Sequence, residues 1–239
     1  MEADNTQGYY AYSNWAQNLA DNIGYKARKR MYKIYLKYFP PKVGSDVVDI
    51  GVTPDTKYEE SNFFERFYPF KDNLYATSIE DASFLEKQYP GMHFIRQTED
   101  LHFPFEDSRF EYVFSNAVVE HVGTNQNQKD FIKECIRIAQ SGFFLTTPDR
   151  MFPVEVHTCL PFFNWIPKKT FRKILRGTKY DWCSYESNLN LLTTREVRRM
   201  LDDLCAQFES EGKHVSYEIR HLITFGFPSN ILIIGHVTQ

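Results

Sequence analysis

Two residues with chemically useful side chains stand two positions apart in an apolar, proline-containing stretch. Glu155 and His157 lie within residues 151–167, whose sequence is MFPVEVHTCLPFFNWIP. Because an imidazole changes charge near neutral pH, His157 is a candidate for removing a proton from a bound hydroxyl, and Glu155 is a second candidate base. The alternative is a buried structural histidine. No other residue with metal-ligand spacing is nearby in the sequence, so no metal site is predicted.

A second group of polar residues follows a short stretch rich in β-branched residues. The sequence DVVDIG at 46–51 is typical of a buried parallel strand that ends at a glycine. Gly51 permits a tight turn that brings backbone N–H groups close to a ligand, and Thr53 lies in the same turn. A buried Asp49 is costly unless it accepts hydrogen bonds, which the N–H groups of this loop can supply. A structural turn without a ligand is the alternative.

The centre of the chain combines an acidic loop, a strand and the start of a helix. Residues 99–122 read EDLHFPFEDSRFEYVFSNAVVEHV. In order and spacing, this stretch resembles a signature of class I S-adenosylmethionine-dependent methyltransferases of the small-molecule type (type 11-like). That signature consists of an acid, Leu-Pro-Phe, Asp-x-x-Phe-Asp, a strand and Glu-His-Val. The similarity extends from Asp46 to about Arg150. It implies S-adenosylmethionine as cofactor and S-adenosylhomocysteine as product.

The resemblance implies cofactor-binding roles for residues at the end of the second strand. In the family, an acid at this place commonly binds the ribose hydroxyls. Here Ser78 occupies the place, Ile79 follows it, and Glu80 can supply the carboxylate.

The resemblance also assigns residues to the adenine ring and to the transferred methyl group. Glu99 stands where the family has an acceptor for the adenine amino group, and Asp100 is the competing assignment. Leu101 would offer the adenine ring an apolar surface. Asn116 and Ala117 end the fourth strand, where the methyl group should lie.

Methyl transfer asks mainly for alignment of the nucleophile, the methyl group and sulfur, with a base wherever the acceptor is a hydroxyl. Glu155 and His157 are the candidates for that base. His121 is expected to position the cofactor or the acceptor. The alternative is a histidine that caps a helix or is bonded to a backbone carbonyl.

The alternation of strand and helix patterns predicts an α/β fold with helices on both faces of a Rossmann-like sheet. The sheet is expected to have seven strands, mostly parallel, with an antiparallel C-terminal pair. We expect one domain, 1–239. Its parts are a helical cap (1–42), a cofactor-binding core (43–150), a substrate-wall insertion (151–192) and a C-terminal helix with strands (193–239). Strands are predicted at 46–51, 74–79, 92–96, 110–115, 142–147, 214–221 and 230–237. Helices are predicted at 61–68, 81–89, 130–139, 168–176 and 193–208, with two helices over 9–39 that break near 22–24 and cap the open edge of the sheet.

Composition excludes several classes of protein. A net charge of −3 over 239 residues does not favour nucleic-acid binding. The four cysteines have no disulfide or zinc spacing, and no apolar run is long enough for a membrane span, which predicts a cytoplasmic protein. Two basic clusters are expected to be solvated helix faces or a weak membrane contact. They are Lys26, Arg28, Lys29, Arg30, Lys33 and Lys37, and Lys168, Lys169, Arg172, Lys173 and Arg176.

The preferred hypothesis is therefore O-methylation of a small-molecule, sugar or lipid-linked acceptor. The alternative is a catalytically inactive binding or scaffold protein of the same fold. Two departures from the family favour it: Ser78 replaces the usual acid, and the sequence VTPD at 52–55 replaces the usual glycine-rich loop. A nicotinamide-dependent oxidoreductase is disfavoured because no G-x-G-x-x-G sequence follows the first strand. The sequence leaves the acceptor and the oligomeric state open.

Overall fold

The computed structural model describes residues 14–55, 61–98, 100–155, 157, 158 and 160–238, with side chains from residue 23 onward. The helices are α1 (Asn14–Tyr38), α2 (Phe63–Phe67), α3 (Leu85–Gln88), α4 (Asn125–Ile138), α5 (Lys168–Leu175) and α6 (Thr194–Ser210). The strands are β1 (Val47–Ile50), β2 (Leu74–Ser78), β3 (His93–Arg96), β4 (Phe110–Asn116), β5 (Ala139–Pro148), β6 (His214–Thr224) and β7 (Phe227–Thr238).

The seven strands form one sheet in the order β3-β2-β1-β4-β5-β7-β6. The first five are parallel, whereas β7 is antiparallel to β5 and β6 is antiparallel to β7. The predicted mostly parallel sheet with an antiparallel C-terminal pair is confirmed. None of the described helices is both long and apolar enough to cross a bilayer.

One sequence prediction that fails concerns the first helix, which is continuous through residues 22–24 instead of breaking there. Gly24 in a helix costs about 1 kcal/mol relative to alanine, and burial of the following aromatic side chains outweighs that cost. Tyr35 is fully buried, with its ring 5.6 Å from that of Phe114 and 5.8 Å from that of Phe144. The second half of α1 therefore covers a face of the sheet, not its open edge.

The opposite face is covered by α4 and α6, whose apolar sides pack in a second core with β4, β5 and β7. Helix α4 begins earlier than the predicted residue 130, because Thr124 caps its N-terminus by accepting a hydrogen bond from the backbone N–H of Asn127 at 3.2 Å. Helix α3 is shorter than its predicted range 81–89. Helices on both faces are confirmed.

The register of the central strands brings three polar chain turns to one edge of the sheet. Ile50 of β1 pairs with Thr77 of β2, and the hydroxyl of Ser115 in β4 donates to the carbonyl of Ile50 at 2.7 Å. The residues that follow, Gly51, Ser78 and Asn116, therefore lie next to one another at the carboxyl ends of the strands. Ligands bind at this edge in open α/β sheets.

Candidate active site

The backbone of the first turn is hydrogen bonded within the protein. The N–H groups of Gly51 and Val52 both donate to the carbonyl of Thr77, at 2.8 and 3.0 Å. The N–H of Thr53 donates to Oδ1 of Asn62 at 3.0 Å. The prediction that these N–H groups satisfy Asp49 is wrong, because the neighbouring strand and the residue before α2 take them.

Asp49 instead lies against a second buried carboxyl group, that of Glu65 in α2. Burial and the neighbouring Glu65 charge hold the pKa of Asp49 well above its usual value. Burial also raises the pKa of Glu65 to about 6, against the opposing effect of the Lys71 charge. The Asp49 carboxyl group therefore lies inside the protein, next to that of Glu65.

This carboxyl pair predicts an unusual dependence of stability on pH. Because the folded-state pKa values are raised, the folded protein binds more protons than the unfolded chain, and stability falls as pH rises from about 4 through about 6. We expect Glu65→Gln, which mimics the protonated acid, to stabilise the protein on the order of 1 kcal/mol at pH 7.5 and to have no effect below pH 4. Urea unfolding across this pH range measures the difference. The exposed Glu106→Gln should change nothing, and equal effects at both pH values would contradict the prediction.

Gly51 is the residue of the first turn that opens the backbone toward solvent. It is exposed and has φ +95°, a conformation that favours glycine. A Cβ atom at this position would lie 2.3 Å from Cγ2 of Val118. The turn after β1 thus approaches the turn after β4 so closely that only glycine fits.

The residues predicted to bind the adenosine lie on the β2 side of the same edge. Ser78 is buried, and its hydroxyl accepts a hydrogen bond from the N–H of Glu80 at 3.2 Å. The carboxylate of Glu80 is exposed, and Ile79 is 53% exposed, which is high for a large apolar side chain. The exposed Asp100 accepts from Thr98, and Leu101 packs partly into the core. The predicted role of Glu99 falls outside the described residues.

Asn116 and Ala117 occupy the turn after β4. Oδ1 of Asn116 accepts a hydrogen bond from the hydroxyl of Thr146 in β5 at 2.7 Å, and Ala117 has φ +57°. The N–H of Ala117 donates to the carbonyl of Thr146 at 2.9 Å. These bonds fix the turn against the carboxyl end of β5.

Glu155 and His157 form a buried pair beyond the end of β5. Nδ1 of His157 lies 2.8 Å from Oε1 of Glu155, and the Glu155 side chain is fully buried. The carboxylate also accepts hydrogen bonds from the N–H groups of His157 and Thr158, at 2.9 and 2.6 Å. Three contacts thus fix the orientation of one carboxylate and of the imidazole it holds.

His121 and Glu120, which lie in one helical turn over Val119–His121, complete a cluster with this pair. The imidazole rings of His121 and His157 are 5.2 Å apart, and Nδ1 of His121 lies 2.6 Å from the carbonyl of Asn188. Glu120 is fully buried and accepts a hydrogen bond from the hydroxyl of Thr147 at 2.8 Å. The sequence pattern does not identify Glu120 as a site residue. Its place beside His121 was visible, but its burial was not.

The pKa values of the four side chains in this cluster are shifted in different directions. Burial lowers the pKa of His157, but the charge and hydrogen bonds of Glu155 outweigh this effect and raise the pKa overall. Burial likewise opposes ionisation of Glu155, and the contacts with His157 and Thr158 lower its pKa on balance. Burial and the nearby His157 lower the pKa of His121 to about 4. Burial raises the pKa of Glu120 to about 7.

The predicted cofactor edge and this cluster are adjacent. Thr146 bonds Asn116, and the next residue, Thr147, bonds Glu120. The end of β5 therefore joins the place expected for the methyl group to the cluster of two histidines and two glutamates.

The chain resembles known proteins in sequence and in fold. Residues 64–146 match the sequence model of a family described as a methyltransferase domain. Among solved structures, magnesium protoporphyrin IX methyltransferase from Synechocystis, with bound S-adenosylhomocysteine, is similar with a TM-score of 0.57 and 14% identity, over 96% of this chain and 90% of that one. A search of curated protein sequences found no match.

Two further solved structures resemble the chain. One is 1,6-didemethyltoxoflavin-N1-methyltransferase from Burkholderia thailandensis, with a TM-score of 0.54 and 9% identity over 94% of this chain and 89% of that one. The other is an S-adenosylmethionine-dependent methyltransferase from Methanosarcina mazei, with a TM-score of 0.52 and 15% identity over 86% and 97%. At these identities, the structural likeness concerns the fold.

Proposed function

We propose that this chain, a class I S-adenosylmethionine-dependent methyltransferase, methylates a hydroxyl group of a small-molecule, sugar or lipid-linked acceptor. The observation that supports the acceptor chemistry is the buried cluster of His121, Glu155 and His157 beside the turn after β4. The methyl group is expected at that turn, so an acceptor hydroxyl placed between the turn and the cluster could meet both.

The chemistry of the exposed residues fits the cofactor. The carboxylates of Glu80 and Asp100 can accept hydrogen bonds from ribose hydroxyls and from the adenine amino group. The exposed Ile79 offers an apolar surface to the ring, and Gly51 leaves the backbone of the first turn open. Asn116 and Ala117 would border the methyl group. The walls of the cofactor site would be shaped by Ser78, Thr53 and Asp49.

The cofactor supplies an activated methyl group, because its sulfur carries a positive charge that transfer of the methyl group removes. The acceptor oxygen forms a bond to the methyl carbon as the carbon–sulfur bond breaks, and the acceptor proton leaves to solvent through the cluster. The protein's task is to align the acceptor and to favour loss of that proton. We propose that His121 positions the acceptor, and that Glu155 and His157 activate its hydroxyl.

The second basic cluster contributes less to a membrane contact than its sequence implies. Lys168 donates to Asn190 and Glu196 at 2.9 and 3.3 Å, and Arg172 donates to Glu186 at 3.0 Å. These two cations are neutralised within the protein.

Calorimetric titration with S-adenosylhomocysteine tests the cofactor site, because the product binds without a known acceptor. Micromolar binding is expected. A screen with radiolabelled cofactor then compares hydroxyl acceptors with amine analogues of the same shape, since one similar structure is that of an N1-methyltransferase. Label found in the amine analogues instead of the hydroxyl compounds would overturn O-methylation. No binding at millimolar product would support a protein without catalysis.

We expect Glu80→Gln to weaken binding of S-adenosylhomocysteine by about tenfold. A hydrogen bond to a charged acceptor contributes about 1.5–3 kcal/mol, and 1.4 kcal/mol corresponds to a factor of ten in affinity. Calorimetry measures the change. Glu106→Gln removes a comparable exposed charge at the amino end of β4 and should leave the affinity unaltered. If both variants bind alike, Glu80 does not contact the ribose.

A further inference from the structure

We propose that Glu120, His121 and His157 bind a divalent transition-metal ion, with Zn²⁺ the ion that best suits this ligand set, and that the ion holds the acceptor hydroxyl. The role in catalysis rests on the function proposed above. The binding of the ion itself does not, because it requires neither cofactor nor acceptor.

The positions of the three side chains suit a single ion. Each offers one ligand atom, and these atoms lie within 4.8 Å of one another. Zinc bonds to histidine nitrogen and carboxylate oxygen at about 2.0–2.2 Å, which places tetrahedral ligand atoms about 3.4 Å apart. Each ligand atom would have to move inward by about 1 Å or less, which small rotations of the side chains can provide.

The outer contacts of the three side chains are those of a metal site. Nδ1 of His157 is held by Glu155, and Nδ1 of His121 is held by the carbonyl of Asn188, so in each ring Nε2 would be the ligand atom. The Thr147 hydroxyl similarly holds one oxygen of Glu120. Histidine ligands in proteins almost always bond a carboxylate or a carbonyl through their second nitrogen.

Among the described residues, the second carboxylate oxygen of Glu120 lacks the partner that a bound cation would supply. Oε1 is buried, and within the described part of the chain it has no hydrogen-bond partner. Nε2 of His121 lies 3.9 Å from it, too far for a hydrogen bond. A buried carboxylate oxygen without a partner costs free energy, and a cation between Glu120 and the two imidazoles would satisfy it.

The arrangement leaves a coordination position for a substrate. Zinc sites that act on substrates have three protein ligands, for example two histidines and a glutamate, and a fourth position for water or substrate. His121 is the most exposed of the three ligands, with 25% of its side chain accessible, so the open position would face its side of the cluster. An ion there would lower the pKa of a bound acceptor hydroxyl. The hydroxyl proton would pass to solvent before the oxygen–carbon bond forms.

Metal binding can be tested on the whole chain without cofactor or acceptor. The protein is stripped with a chelator, dialysed and titrated calorimetrically with Zn²⁺, and separately with Co²⁺ while its visible absorption bands are recorded. We expect one ion per chain with a dissociation constant of about 1 μM or below, and Co²⁺ bands typical of tetrahedral coordination. Absence of stoichiometric binding of either ion to the folded wild-type protein overturns the proposal.

Variants assign the ligands. Glu120→Gln and His157→Gln, which keep side-chain volume, should each weaken Zn²⁺ binding at least 100-fold. The matched controls are His102→Ala and His214→Ala, at exposed histidines that also pair with a glutamate, at 3.0 and 2.8 Å. The controls should bind like wild type. Retention of binding in Glu120→Gln, as expected for an ion held by cysteine thiols, would refute this ligand set.

The wild-type titration decides the proposal even if a ligand variant does not fold. In that case, the Co²⁺ spectrum carries the ligand assignment, because thiolate ligands give intense charge-transfer bands that nitrogen and oxygen ligands do not. Charge-transfer bands would refute the site, and their absence beside tetrahedral bands would support it. Failure of metal binding with intact binding of S-adenosylhomocysteine would remove the ion and leave the methyltransferase proposal in place.

Discussion

His157→Ala is expected to reduce turnover by about 10²- to 10⁴-fold while the affinity for S-adenosylhomocysteine stays within twofold of wild type. His157 is held by Glu155 beyond the end of β5, and the exposed residues proposed for the adenosine lie on the β2 side of the sheet edge. Removal of the imidazole should therefore affect activation of the acceptor and not the cofactor. Turnover is measured with the acceptor found in the screen, and affinity is measured by calorimetry.

The control for this variant is His102→Ala. His102 is 72% exposed and pairs with Glu134, so it has a similar carboxylate partner but lies outside the cluster. Its turnover should equal that of wild type. A parallel loss of turnover and product binding in His157→Ala would contradict the proposed role, and so would a loss of the folded state, which would identify His157 as a structural residue.

The sheet could be predicted from the sequence because its signals are local. Short apolar or alternating stretches predicted each strand to within a few residues. The prediction failed where distant packing decides the structure. The sequence pattern predicts a break at the glycine in α1, but Tyr35 and its neighbours bury enough aromatic surface on the sheet to keep the helix continuous.

The site was predictable only where its residues are close in sequence. Glu155 and His157 are neighbours in an unusual apolar stretch, and the hydrogen bond between them is a short-range contact. Glu120 joins them only because the turn after β4 lies against the end of β5, where Thr147 bonds it. For the same reason the sequence predicts no metal site, because His157 is far along the chain from Glu120 and His121. Glu120, His121 and His157 come together because β4 and β5 are neighbours in the sheet.

The pairing of Asp49 with Glu65 was also out of reach of the sequence. A strand-end aspartate followed by a loop is compatible with bonds to the loop N–H groups. Those groups bond Thr77 and Asn62 instead, and α2 brings Glu65 to Asp49. The strand pattern that ends at Gly51 indicates the position of the turn, but the hydrogen bonds within it depend on residues that the pattern does not include.

Gly51→Ala is expected to weaken binding of S-adenosylhomocysteine by about tenfold to 100-fold. The new methyl group would lie 2.3 Å from Cγ2 of Val118, and φ of +95° is unfavourable for alanine. Backbone strain of this kind costs about 1–3 kcal/mol, which here must displace either the turn after β1 or the turn after β4. Both turns border the proposed cofactor site, so the loss should be seen by calorimetry with the product.

Two further variants separate the clash from the backbone strain. Gly44→Ala also places alanine at a positive φ, +78°, but no atom lies within 4 Å of its Cβ, and it precedes β1 at the opposite edge of the sheet. It should lose some stability and no affinity. In Gly51→Ala with Val118→Ala the 2.3 Å contact is removed and the nearest remaining atom is Cβ of residue 118 at 3.3 Å, so the backbone strain dominates and affinity should recover in part. Full affinity in the Gly51→Ala single variant would show that the cofactor does not depend on the close approach of these two turns.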